Sequence, residues 1–167
     1  MNLDIVSFIV GILSSIVFPL LIYVKNYIVK KGERLSFRLM INNEYIKPLV
    51  KVFDEGLSDD ETKKRINRQV ADILKKLDYL KTDELPFLTT DNQFYFIRVV
   101  EYTLRLLHSI VEISNSYEFR DTLPINVSGR QAEKDIFEKK IKSHINYYEL
   151  NIDKYANLKT DKFQTPN

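Results

Sequence analysis

The chain has 167 residues, 25 of them basic and 23 acidic, for a net charge of +2, and it contains no cysteine. Once a membrane segment is set aside, that length supports one domain of ordinary size, and the lack of cysteine excludes a disulfide framework, a thiolate nucleophile and any cysteine-ligated metal. Near-neutrality also argues against nucleic acid as a partner, because the basic domain or stripe that phosphate binding requires is missing.

The first predicted element is a transmembrane helix over residues 5–24, IVSFIVGILSSIVFPLLIYV, in which no side chain is charged. At 1.5 Å rise per residue such a helix is about 30 Å long, the thickness of a bilayer's hydrocarbon core. A cleaved signal peptide fits less well: no Lys or Arg precedes the run, the run exceeds the usual apolar region, and no A-x-A-like site follows. Asp4 is the only charge ahead of the span, whereas Lys25, Lys30, Lys31 and Arg34 follow it. The positive-inside rule then predicts an external N-terminus and a cytoplasmic C-terminal region.

Within the span, Ser7, Gly11, Ser14 and Ser15 share one helical face with small-xxx-small spacing, which points to helix–helix contact in lipid. Pro19 predicts a kink near Ser15. The basic cluster after the span attracts anionic headgroups by about 1 kcal/mol per charge and is read chiefly as a topology signal. The helix is expected to loosen at Gly32, giving an anchor over residues 1–34, a helical bundle over 35–158 and a polar tail over 159–167. Residues 35–167 carry 21 basic and 21 acidic side chains and so no net field.

In residues 35–57, Leu39, Ile46, Leu49, Val50 and Phe53 recur at helical spacing, and Pro48 is expected to kink or divide the helix. Gly56 predicts its stop, and Ser58 with Glu61 predicts a capping box for the next helix, whose apolar positions are Ile66, Val70, Ile73, Leu77 and Leu80. Pro86 lies in a connection with an N-cap expected at Thr90 or Asp91. Residues 94–113 are strongly apolar. Arg98, Glu101, Arg105, His108 and Glu112 exclude them from lipid, and their 3-4-3-4 spacing confines charge to one stripe. The remaining circumference, Phe94, Phe96, Ile97, Val99, Val100, Leu104, Leu107, Ile110, Val111 and Ile113, predicts the buried centre of the bundle.

A long connection over residues 114–128 includes an Asn126-Val127-Ser128 sequon, silent on a cytoplasmic side, and Ser128 with Gln131 offers a second capping box. The last helix bears Ile136, Phe137, Ile141, Ile145, Tyr148, Ile152 and Tyr155. With no strand-like alternation in the chain, the predicted class is all-α: one N-terminal membrane helix and a cytoplasmic bundle of about four helices.

Chemistry-bearing residues are sparse. His108 and Glu112 share a helical face, and His144 and Glu101 are the candidates to complete a metal set, but the same residues fit a solvated stripe of i, i+3 and i, i+4 pairs. The run Lys63-Lys64-Arg65 with Arg68 is flanked by acids and reads as a solvated face. Tyr147, Tyr148 and Phe137 suit either an aromatic docking surface or core packing. Four glycines and no phosphate-loop or nucleophile-elbow motif leave no cofactor cradle.

The expectation is therefore a non-enzymatic, single-pass interaction or regulatory protein without a cofactor. Its expected partners are membrane lipids, an unidentified protein and a second copy of itself, and no nucleic acid. A membrane effector assembled through the Ser7-Gly11-Ser15 face is the alternative, and a metal-dependent enzyme using His108 and Glu112 a weaker one.

Overall fold

A computed structural model describes residues 2–55, 57–88, 91–117 and 127–157, with the backbone alone at 2–14, 59 and 127–134. Every element among the described residues is helical, in keeping with the predicted class. The long helices are α1 (Asn2–Ile41), α3 (Asp59–Tyr79), α4 (Gln93–Ser116) and α5 (Val127–Ala156); α2 (Lys47–Lys51) is a short one. The chain divides into two compact units, Met1–Ser36 and Phe37–Asn167.

Helix α1 passes through Pro19 and Gly32 without ending, so the loosening expected at Gly32 does not occur. A glycine inside a helix costs about 1 kcal/mol relative to alanine, and the helix-forming Glu33, Arg34 and Leu35 that follow carry the element on. Among the described residues no helix is long and apolar enough to cross a membrane. Described side chains begin at Ser15, so the first half of the uncharged run lies outside them.

Pro48 does divide the chain, through a single wide turn. Residues Asn42–Ile46 form one π-helical turn in which the Lys47 N–H donates to the Asn42 carbonyl, five residues back, and Pro48 then opens α2. The arrangement recurs at Leu80–Glu84, where the Leu85 N–H donates to the Leu80 carbonyl just ahead of Pro86. Proline lacks an N–H and its ring collides with the carbonyl four residues earlier, Glu44 and Thr82 in these two cases. The wide turn relieves that collision by inserting one extra residue into the helical turn.

Helix α3 starts as expected. The Glu61 carboxylate accepts from the Ser58 N–H at 3.2 Å and from the Ser58 hydroxyl at 2.7 Å, and the Thr62 N–H donates to the Ser58 carbonyl at 2.8 Å. These bonds hold the Glu61 carboxyl below its ordinary range. At α4 the expected cap is corrected: Asp91 lies in a turn, and Asn92 is the capping residue, its carbonyl accepting from the Phe96 N–H at 2.9 Å. Ser128 falls inside α5 and not at its cap. Gly56, Thr90, Asn126 and residues 158–167 lie outside the described residues, as do the side chains of Ser128 and Gln131.

In the unit Phe37–Asn167, α4 packs against both α3 and α5, which places it at the centre of the bundle. The core takes Ile66, Val70, Ile73 and Leu77 from α3, and Val99, Val100, Leu106, Leu107, Ile110 and Ile113 from α4. Helix α5 adds Phe137, Ile141, Ile145, Tyr148, Ile152 and Ala156, and Ile41, Ile46, Leu49, Val52 and Phe53 close the fourth side. Three expected apolar positions are exposed, Leu39, Phe94 and Ile136, while Val50, Leu80, Ile97, Leu104, Val111 and Tyr155 are only half-buried. Phe94 stands four residues before Arg98, in register with the charged stripe, and so on the outward face of α4, while Tyr95 and Phe96 of the same turn are buried.

Leu107 has no exposed surface. In a fragment spanning residues 37–167, Leu107→Ala is expected to lower stability by about 2–5 kcal/mol, the range for a truncated core leucine. Urea unfolding followed by circular dichroism checks this, and a loss under 1 kcal/mol, or a spectrum without strong helical signal, would contradict the core assignment.

Candidate functional site

In the unit Met1–Ser36, every described residue from Ser15 to Val29 is exposed, and Lys25 is the only charge among them. A helix that is apolar around its whole circumference buries none of it here. Lys25 and Lys31 are exposed and Lys30 and Arg34 half-buried, so the basic cluster lies on the surface of this unit. Of the predicted small-residue face, Ser15 is exposed, and the side chains of Ser7, Gly11 and Ser14 are outside those described.

In the unit Phe37–Asn167, polar and aromatic groups fix the ends of three helices to one another. Arg38 pairs with Asp153, whose other oxygen accepts from the Tyr95 hydroxyl at 2.8 Å, while Phe37 stacks on Phe96 at 4.3 Å between centroids. One carboxylate on α5 thus ties the last turn of α1 to the first turn of α4.

Two turns further along α4, the Thr103 hydroxyl donates to the Val99 carbonyl at 2.7 Å and lies 2.7 Å from the Tyr148 hydroxyl. A threonine has one hydroxyl proton, and the Val99 carbonyl takes it. The Tyr148 hydroxyl is therefore the donor to Thr103, and both buried polar groups are satisfied. Burial pushes the Tyr148 phenol far above its ordinary range. Tyr102 stacks on Tyr148 at 5.1 Å and on Tyr155 at 4.5 Å, with the Arg105 guanidinium 5.3 Å from the Tyr155 ring centroid.

This tyrosine network settles the two readings of the aromatic residues in α5. Phe137 and Tyr148 are core, and Tyr147 is exposed. Phe137 meets Phe53 edge-on at 5.9 Å and Tyr117 at 4.9 Å. The sequence signal available for Tyr148 was its place on the Ile141-Ile145-Ile152 stripe; nothing in the sequence pairs it with Thr103.

The charged stripe of α4 faces outward: Arg105, His108 and Glu112 are exposed, and Glu101 is half-buried in an ion pair with Lys81 at 3.1 Å. The His144 Nδ1 lies 3.0 Å from the Lys140 carbonyl on its own helix. Among the described residues no three His, Asp or Glu side chains converge on a metal-binding geometry. The basic run of α3 is dispersed: Lys63 donates to the Tyr117 carbonyl at 2.8 Å, Arg65 reaches Glu55 at 3.7 Å, and Lys64 and Arg68 are exposed.

Two large apolar side chains of the unit stand exposed near the start of α4. Phe87 is 80% exposed and Phe94 78% exposed, on either side of a clamp in which the Gln93 amide donates to the Leu85 carbonyl at 2.9 Å and the Pro86 carbonyl at 2.8 Å. Phe87 lies in a connection, where no period marks it, whereas Phe94 extends the outward 98-101-105-108-112 stripe by four residues, a signal hidden by the apolar residues around it. Tyr147 and Leu150 are exposed one turn apart on α5.

Tyr148→Phe tests the buried hydroxyl pair. Thr103 keeps its bond to Val99, so the expected loss at neutral pH is about 1 kcal/mol, the net worth of one hydrogen bond. The folded-state phenol is raised, so its contribution is complete below the unfolded pKa of about 10 and fades as pH rises past it. The gap between wild type and Tyr148→Phe is thus expected to narrow above that pH in denaturant titrations, and a gap that widens would contradict the assignment.

Comparison with protein-family models, with curated proteins and with solved structures yields no match to this chain.

Proposed function

We propose that this protein is a single-pass membrane-anchored interaction protein, external at its N-terminus, that presents the unit Phe37–Asn167 at the cytoplasmic face to recruit or regulate another protein. The observation that carries the reading is the segment Ile16 to Val24, apolar on all sides and exposed on all sides. Side chains of this kind are stable where the surroundings are themselves apolar, and the uncharged sequence continues upstream to Ile5 for a total length that matches a bilayer core. Lys25, Lys30, Lys31 and Arg34 at the downstream end support the orientation.

Recruitment is supported by the exposed Phe87–Phe94 pair. Fully burying a phenylalanine is worth about 1.5–3 kcal/mol, and this gain is forgone twice within eight residues. A protein partner that covers both rings recovers it.

Alkaline extraction of membranes tests the anchor. The wild-type chain is expected to stay in the membrane pellet, whereas Ile16→Arg, which places at the helix centre a charge costing about 2.5–3.5 kcal/mol on insertion scales, is expected to release a large fraction. Recovery of the wild type in the alkaline supernatant would overturn the reading. For the docking pair, Phe87→Ser with Phe94→Ser is expected to change stability by less than about 0.5 kcal/mol per site, as surface substitutions do, while reducing the proteins co-purified from detergent-solubilised membranes. An unchanged co-purification profile would remove this surface from the proposal.

A further inference from the structure

Between residues 25 and 36, helix α1 carries five charged side chains and would be expected to be a wholly solvated helix. It nevertheless keeps Ile28 at 62% and Leu35 at 55% exposure. At 100° per residue, Ile28, Gly32 and Leu35 fall within about 60° of one another, with Lys25 and Lys31 at the two margins of that face and Lys30, Glu33 and Arg34 on the opposite side. Three of the five charges thus stand away from the Ile28–Gly32–Leu35 face, and both of its apolar side chains are exposed.

Gly32 supplies an independent observation. A Cβ built there meets no atom within 4 Å, so packing inside the chain does not select glycine at that position. Mid-helix glycine costs about 1 kcal/mol, roughly a fivefold factor in helix formation, which a contact that only glycine permits would offset. A second backbone passing close by supplies one.

The spacing identifies the occupant. Ile28, Gly32 and Leu35 follow one another by four and three residues, and the same alternation runs back through Lys25, Leu21 and Phe18 to Ser14, Gly11 and Ser7. A seam of this period is the signature of two helices wound about each other. A partner must leave the bilayer as a helix in the same direction and at the same depth, and a second copy of α1 meets that condition by identity. Lys25, the single charged seam position, fits two strands in parallel register, the state that one polar residue in such a seam specifies.

We infer that α1 pairs in parallel with α1 of a second copy along Ile28, Gly32 and Leu35, continuing the small-residue face of the span into the juxtamembrane segment. This inference rests on the membrane reading for the common direction of the two helices. The pairing brings two copies of the unit Phe37–Asn167 onto one stem, so a partner is met by two docking surfaces instead of one.

The absence of native cysteine permits a direct test with the full-length chain in its membranes. Single variants Ile28→Cys and Leu35→Cys lie on the seam, and Lys30→Cys and Glu33→Cys lie on the outer face. Disulfides form only when Cα atoms come within about 7 Å, so mild oxidation is expected to give strong dimer bands for the two seam variants and weak ones for the outer pair. In the Lys25→Cys background, adding Leu35→Glu is expected to reduce the dimer band severalfold. Equal crosslinking on both faces, stronger crosslinking on the outer face, or none at any position would each overturn the pairing. Alkaline extraction of the same samples separates the two readings: loss of the protein from the pellet counts against the anchor, whereas the pattern by position alone decides the seam.

Discussion

The bundle depends on one constraint, that α4 be buried from two sides while carrying five polar or charged side chains. It meets this by confining Arg98, Glu101, Arg105, His108 and Glu112 to a stripe about one residue wide, leaving the other faces to α3 and α5. Burial of ionised groups costs several kcal/mol each, so a single charge displaced from that stripe by one position would turn toward a neighbouring helix. Thr103 shows the rule from the inside. It sits fully buried at the centre of α4, tolerated because its proton is committed to Val99 and its oxygen receives Tyr148.

Much of this arrangement was legible from the residues alone. The Ser58–Glu61 box starts α3, the stripe on α4 makes it central, and Phe137, Ile141, Ile145, Tyr148 and Ile152 line the buried face of α5. These features are local, fixed by one helix's own period and caps. What escaped was set by neighbours. Tyr95 is buried with its hydroxyl donated to Asp153 on another helix, which no pattern within α4 announces, whereas the exposure of Phe94 is readable from its register with Arg98 and Glu101. Gly32 reads as a terminus because glycine commonly ends helices, whereas α1 continues on the strength of the residues after it. The candidate surface was the least legible part, since the Gln93 clamp that presents Phe87 joins a side chain to two carbonyls across a connection.

The two units face opposite physical demands. The unit Phe37–Asn167 sorts its side chains into a core and a charged exterior, whereas residues 15–24 of α1 are apolar in every direction. The hydrophobic effect can therefore organise the first and has no inside to work toward in the second, which is why the function proposed for α1 invokes its surroundings. Lys25 marks the position along α1 at which charged side chains begin.

The paired wide turns at Asn42–Ile46 and Leu80–Glu84 bear on how the fold tolerates change in its length. Each adds one residue to a turn and so rotates all that follows by about 100° relative to an unbroken helix. Ile46, Leu49, Val52 and Phe53 face the core with that rotation included, as does Leu85 after the second turn. The two prolines thus act as clocks: by forcing an extra residue into the turn before them, Pro48 and Pro86 set the angular phase at which the next segment meets the bundle. Apolar residues upstream and downstream of each turn belong to different phases, and one continuous heptad drawn through either turn would misplace the residues beyond it by about that angle.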